Sequence, residues 1–179
     1  MAADIRPARA SDVDALLAIE HAVFQTDRLS RRSFRRLIDR PSAALLVAEV
    51  GAALAGYCIV LFRTGSRTAR LYSISTAPRM AGQGMGRMLI EAAEKAAIGR
   101  GKRSLRLEVR EDNARAIAIY ERAGFGMTGR TPDYYQDGTA AIRMEKELAV
   151  GTPSVSRAAR GASASPSRRA GLTARRASP

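Results

Sequence analysis

Gly82, Gly84 and Gly86 stand at alternate positions between an apolar, strand-like run at 69–76 and a helical run at 87–98. A glycine-rich turn that opens a helix exposes backbone N–H groups lacking internal partners, and the helix macrodipole adds to their pull on an anion. A phosphate group is the natural ligand, although a merely flexible connection has the same composition. No Lys-Ser or Lys-Thr follows the glycines, and Leu89 stands where a GxGxxG fingerprint begun at Gly84 needs its last glycine. ATP-binding P-loops and dinucleotide-binding turns therefore lose support, and a pyrophosphate cradle of another kind remains.

Two further residues could move protons. Glu108 lies on the polar side of Ser104–Arg110, where Leu105, Leu107 and Val109 alternate with Arg106, Glu108 and Arg110. Tyr120 shares a helical face with Ala116 and Ile117 in the run 113–122. The plain readings are a solvated glutamate and a core aromatic. Flanking arginines would blunt Glu108 as a base unless they point elsewhere.

Composition narrows what else is available. The chain has 179 residues, one cysteine (Cys58) and one histidine (His21), so an intramolecular disulfide framework, a multi-cysteine metal site and most histidine chemistry are excluded. Cys58 reads as a small buried hydrophobe and His21 as a helix-surface residue; no metal is expected. Hydrophobic content of 46% and charged content of 26% suit a soluble globular domain. The formal net charge is +13, and residues 149–179 hold six arginines and no acid, which leaves +7 on residues 1–148. The sequence thus predicts a domain over 1–148 and a disordered Arg/Ala/Ser-rich basic tail over 149–179, open to nucleic acid or simply solvated.

The elements that must position these groups alternate. A strand at 5–8 precedes a helix capped by Ser11 and running through Ala22, and Ser30 caps a second helix that ends near Asp39 before Pro41. Residues 43–62 are apolar enough in length to span a bilayer, yet Glu49 sits near the middle and the Glu-Val-Gly-Ala-Ala stretch reads as a turn between strands 44–48 and 56–62. A buried hairpin is expected, and no membrane contact. Strands at 125–130 and 139–146 complete a single α/β domain with a mixed sheet of about six to seven strands flanked by helices. The first ten residues carry charges and no apolar stretch, so a cytoplasmic location is expected.

The stretch LYSISTAPRMAGQGMGRMLI, followed by LRLEVREDNARAIAIYERAGF, resembles the core of the GNAT superfamily of acetyl-CoA-dependent N-acetyltransferases. The resemblance extends over roughly residues 4–148. LEVR, the following Asn, AIAIY, GF and Tyr134-Tyr135 are most similar to the bacterial ribosomal-protein-alanine N-acetyltransferase group. It implies acetyl-CoA as donor, bound by the backbone of Ala81, Gly82, Gln83, Gly84, Met85, Gly86 and Arg87. Aligned by the helix, Gly84 and Gly86 are the paired glycines, and Ala81 replaces the usual Arg or Gln. A shifted register, from Arg79 through Gly82 to Gly84, starts the helix too late.

The same resemblance implies that Ile74, Ser75 and Thr76 pair with the pantetheine arm and that Asn113, otherwise a helix cap, sits near the cofactor. Glu108 would be general base, through water, and Tyr120 general acid to the departing thiolate. Tyr134 and Tyr135 would line the acceptor channel or merely pack on the sheet. A protein N-terminal amine, such as that of a ribosomal protein, is the implied acceptor; a small-molecule amine would use the same cofactor site. Arg28, Arg31, Arg32, Arg35, Arg36 and Arg40 cluster on the second helix, either as a solvated face or toward an acidic acceptor or RNA-rich particle. A non-catalytic basic binding module is the third reading, without an RNA-recognition or helix-turn-helix signature to support it.

Overall fold

The computed structural model describes residues 3–149 and the backbone of residues 174–175. Its strands are β1 (Asp4–Pro7), β2 (Ala43–Val50), β3 (Ala53–Phe62), β4 (Thr68–Thr76), β5 (Ser104–Arg110), β6 (Gly126–Thr131) and β7 (Ala141–Glu147), with helices α1 (Val13–Val23), α2 (Arg31–Asp39), α3 (Met85–Gly99) and α4 (Ala114–Arg122). The sheet runs in the order β1-β2-β3-β4-β5-β7-β6. Only β4 and β5 are parallel among these neighbours, as expected where α3 supplies the crossover. A two-residue strand, β8 (Ala174–Arg175), pairs antiparallel with β4 at Ser73 and Ile74. The disorder expected over 149–179 otherwise lies outside the described residues.

The sheet buries two apolar faces. On one, α3 and α4 set Leu89, Ile90, Ala116 and Tyr120 against Leu71, Ile74, Leu105, Leu107 and Val109. On the other, α1 and α2 set Leu16, Ile19, Phe34 and Leu37 against Leu45, Val47, Tyr57 and Ile59. The alternation of β5 is therefore real: its aliphatic positions face α3, and Glu108 projects to the side of α1 and α2.

The apolar run at 43–62 is the expected hairpin, with strands longer than anticipated and a turn shortened to Gly51 and Ala52; Gly51 takes a φ of 63°. No helix among the described residues is long and apolar enough to cross a membrane. At Gly56, an added Cβ would lie 2.6 Å from the Ser75 carbonyl oxygen, so only glycine lets β3 approach the end of β4 this closely.

The start of α1 departs from expectation. A 3-10 turn over Ala10–Asp12 precedes the helix, and Asp12, rather than Ser11, stands at its N-cap. Arg6 explains the shift: Nη1 and Nη2 donate to the two Asp12 carboxylate oxygens at 2.7 and 2.9 Å, Nε donates to Glu49 at 2.8 Å, and the Arg9 N–H also reaches Asp12 at 2.7 Å. These bonds, led by that from Arg6, hold the Asp12 carboxyl below its ordinary value of 3.8. A depressed native carboxyl contributes stability above its unfolded value and loses it as pH falls through the native value. Thermal melts should therefore show the gap between the natural chain and Asp12→Asn narrowing as pH falls below about 3.8; a constant gap would exclude the ion pair as its source.

Candidate functional site

Backbone pairing places the site. β4 and β5 are hydrogen-bonded only from Thr68–Ser104 to Arg70–Arg106, after which pairing between them stops while β4 continues to Thr76. Within β4 the register against β3 slips: Ile59 opposes Ser73 and Val60 opposes Leu71, which leaves Tyr72 as an extra residue. Ser73, Ser75 and Thr76 are buried there, and Ser75 Oγ has no hydrogen-bond partner. Beyond the Ser73 and Ile74 rungs that β8 takes up, Ser75 Oγ is left unsatisfied next to Thr76, and because buried polar groups are ordinarily satisfied it marks a place that suits a ligand with its own polar groups.

The glycine loop follows directly. Gly82 and Gly84 adopt left-handed backbone, with φ of 80° and 79°, and Gly84 caps α3 without any side chain bonding the first helical amides. Successive N–H groups in such conformations form an anion-binding concavity. α3 starts at Met85, two residues before the expected Arg87, which puts Gly84 at the cap and Gly86 in the first turn. Arg79 is engaged elsewhere, donating from Nη2 to the Leu54 carbonyl at 3.0 Å. A cleft of about 170 Å³ is lined by Thr76, Ala81, Gly82, Gly86, Arg115 and Ile119 among others. A larger one, of about 460 Å³, shares Arg87 and Ile119 with it and continues between α3 and α4 toward Arg122 and Lys146. The glycine turn thus offers backbone donors to an anionic ligand, while in the larger cleft Arg87 and Lys146 are ion-paired with Glu91 and Glu94 of the same lining.

Tyr120 is fully buried against Phe125, ring centroids 5.9 Å apart, and its hydroxyl has no partner. Burial, with lesser contributions from Tyr135 and Cys58, pushes its pKa well above the usual 10.0, so the phenol keeps its proton. Burial likewise pushes the Cys58 thiol up to about 12, which removes it as a thiolate nucleophile at neutral pH. His21 is exposed on α1.

Glu108 is 7% exposed; its Oε2 accepts a hydrogen bond from Arg70 Nε at 2.9 Å, with Nη2 at the same distance, and no other described residue bonds it. The neighbouring arginine Arg110 points away: it binds Asp112, Asp137 and Thr139 and stacks over the Tyr135 ring at 5.0 Å. Arg110 is thereby taken from Glu108, and Arg70, 2.9 Å away, is the cation that faces the carboxylate instead. Arg70 also donates to the Tyr134 hydroxyl at 3.1 Å, and Tyr134 packs edge-on against Tyr135, whose hydroxyl is buried without a partner. The structure therefore gathers Glu108, Tyr134 and Tyr135 around Arg70, a residue that the sequence reading passed over. Its signal was present only as alternation within β4, where Arg70 and Tyr72 interrupt an otherwise small and apolar run.

Asn113 caps α4, its side chain accepting from the Ala116 N–H at 3.1 Å. On the opposite side of the sheet from α3, the buried Glu20 accepts hydrogen bonds from the Tyr57 hydroxyl and the Leu29 N–H, tying the connection between α1 and α2 to β3. The arginines of α2 lie exposed beside that connection. Among the described residues no group of three His, Cys, Asp or Glu side chains is placed to hold a metal.

Residues 13–125 match the model of the acetyltransferase (GNAT) family. The chain belongs to this family. It is an N-acetyltransferase. Among sequences, it is 30% identical over 135 residues to a Bacillus subtilis (strain 168) protein provisionally named a ribosomal protein bS18-alanine N-acetyltransferase, covering 75% of this chain and 88% of that one. It is 35% identical over 103 residues to streptothricin acetyltransferase of Streptomyces lavendulae, 58% of this chain and 54% of that protein. Among structures, the ribosomal-protein-S18-alanine N-acetyltransferase of Escherichia coli superposes with a TM-score of 0.74 at 26% identity, covering 87% of this chain and all of that one.

Proposed function

We propose that this GNAT enzyme moves an acetyl group from acetyl-CoA to the α-amine of a protein N-terminus in the cytoplasm, a ribosomal protein being the leading acceptor, by direct transfer with Glu108 as base and Tyr120 as acid. The observation that carries the reading is the pair of unlike proton carriers: a buried, protonated phenol without a partner and a carboxylate held on the opposite face of the same sheet. Two such groups meet the two proton demands of amine acylation. The acceptor needs a neutral amine, and Glu108 takes its proton, through water. As the nitrogen–carbon bond forms and the carbon–sulfur bond breaks, Tyr120 gives a proton to the leaving thiolate.

The fit of the donor rests on features of this chain. The Gly82–Gly84 turn and the open start of α3 would hold the pyrophosphate through backbone donors, which the replacement of the usual Arg or Gln by Ala81 leaves intact. Ile74, Ser75 and Thr76 would meet the pantetheine arm where β4 has parted from β5, an edge whose Ile74 rung β8 takes up in this structure, and Ser75 Oγ supplies a buried group awaiting a partner. The cleft between α3 and α4 would take the continuation, with Asn113, the cap of α4, proposed near the cofactor. The carbonyl oxygen would turn toward a backbone N–H of β4, where a positioned donor is worth about 3–4 kcal/mol to the transition state. Tyr134 and Tyr135 would form the acceptor wall.

The acceptor class follows the relatives: the Bacillus subtilis protein and the Escherichia coli structure are both named as alanine N-acetyltransferases of a ribosomal protein. The match to streptothricin acetyltransferase favours a small-molecule amine as the second reading. Mass spectrometry of the full chain incubated with acetyl-CoA and a mixture of free-amine peptides, N-terminally blocked peptides and small polyamines separates the two. Acetylation restricted to free peptide N-termini is the expected result, acetylation of the small amines alone selects the second reading, and no coenzyme A release with any acceptor would overturn both.

A further inference from the structure

We infer that Arg70 is the positioning residue for Glu108, gripping one carboxylate oxygen so that the other faces the acceptor, and joining the carboxylate to the Tyr134 wall of the acceptor channel. The inference rests on the reading of Glu108 as base. Both Nε and Nη2 of Arg70 lie 2.9 Å from the same oxygen, Oε2. Oε1 takes no hydrogen bond among the described residues, yet is not sealed from solvent. A guanidinium usually meets a carboxylate fork to fork, one nitrogen to each oxygen. Here the fork closes on a single oxygen, and the second nitrogen is shared with the Tyr134 hydroxyl at 3.1 Å.

The platform beneath this grip is rigid. Arg70 is the last residue of β4 paired to β5, opposite Arg106, and is paired to Leu61 of β3 on its other edge. Its guanidinium lies 5.6 Å from the Tyr72 ring, and its side chain is 15% exposed. Among the described residues no other cation bonds Glu108: Arg110 is bound to Asp112 and Asp137, and Arg143, in register with Glu108 on β7, is exposed. A carboxylate fixed at one oxygen from the last rung of a ladder presents the other in one direction, and loss of such alignment costs on the order of 100-fold in rate for about 1 Å of displacement.

A double-substitution cycle tests this with the full chain at saturating acetyl-CoA. Arg70→Met should lower kcat by about 10- to 100-fold while leaving the KM for acetyl-CoA within about twofold, because it touches no part of the donor cleft. If Arg70 acts through Glu108, Arg70→Met added to Glu108→Gln should cost nothing further. An unchanged kcat in Arg70→Met, or a double variant slowed by the product of the two single effects, would overturn the inference. Should Arg70→Met fail to fold by circular dichroism, Arg70→Lys carries the same test: one ammonium cannot reproduce the two-nitrogen grip, so kcat should still fall at least about fivefold, and full activity would refute the role. Full turnover by Glu108→Gln is a separate outcome, which removes the base itself and the inference with it.

Discussion

Replacing Tyr120 with Phe should lower turnover by about 100-fold or more while leaving acetyl-CoA affinity nearly unchanged and the melting temperature equal or higher. The rate effect is that expected of a lost proton donor. The stability effect has the opposite sign because the hydroxyl is buried without a partner, and an unsatisfied buried group costs about 1–3 kcal/mol that phenylalanine avoids. The aromatic packing on Phe125 survives the change. Steady-state kinetics, calorimetric titration with acetyl-CoA and a thermal melt read the three quantities. A residue that merely packs would give unchanged turnover, and that result would remove Tyr120 from the chemistry.

Glu108→Gln should be comparably damaging to rate, about 100-fold or more, because glutamine cannot accept the proton of the acceptor amine. Unlike Tyr120→Phe, it should also lower stability, by about 1–3 kcal/mol, since it leaves the largely buried Arg70 guanidinium facing a neutral amide. The two substitutions thus separate by the direction of their melting-temperature change although both cut turnover. Coenzyme A release with a free-amine peptide and a thermal melt suffice. Retention of the natural turnover would show that the acceptor amine loses its proton without Glu108.

How far the sequence could be read depended on whether its pattern was local. Ser104–Arg110 alternates without interruption, so its bounds, its core face and the side of Glu108 were all legible. Ser30 was legible as the cap of α2, and its side chain does accept the Ser33 N–H at 3.1 Å. Ser11 was not the cap, because the choice between it and Asp12 is made by Arg6, which reaches across from β1. Glu108 shows the same limit more sharply. Its sequence neighbours Arg106 and Arg110 suggested the relevant cations, whereas its partner lies 38 positions away on a parallel strand. Alternation reveals which face a residue takes, and only strand order reveals what it meets there.

The extra residue in β4 has a consequence for how that strand encodes two tasks. Before Tyr72, even-numbered Arg70 points to the side of Glu108 and Tyr134; after it, odd-numbered Ser73 comes within 3.5 Å of the Tyr57 hydroxyl on that same side, while Leu71 and Ile74 both join the opposite core. The strand is two reading frames spliced at a single residue. Upstream of the splice it holds the Glu108 carboxylate, and downstream it carries the residues proposed to meet the donor. On the proposed reading, substitutions upstream of Tyr72 would alter the acceptor side and leave the donor side in place.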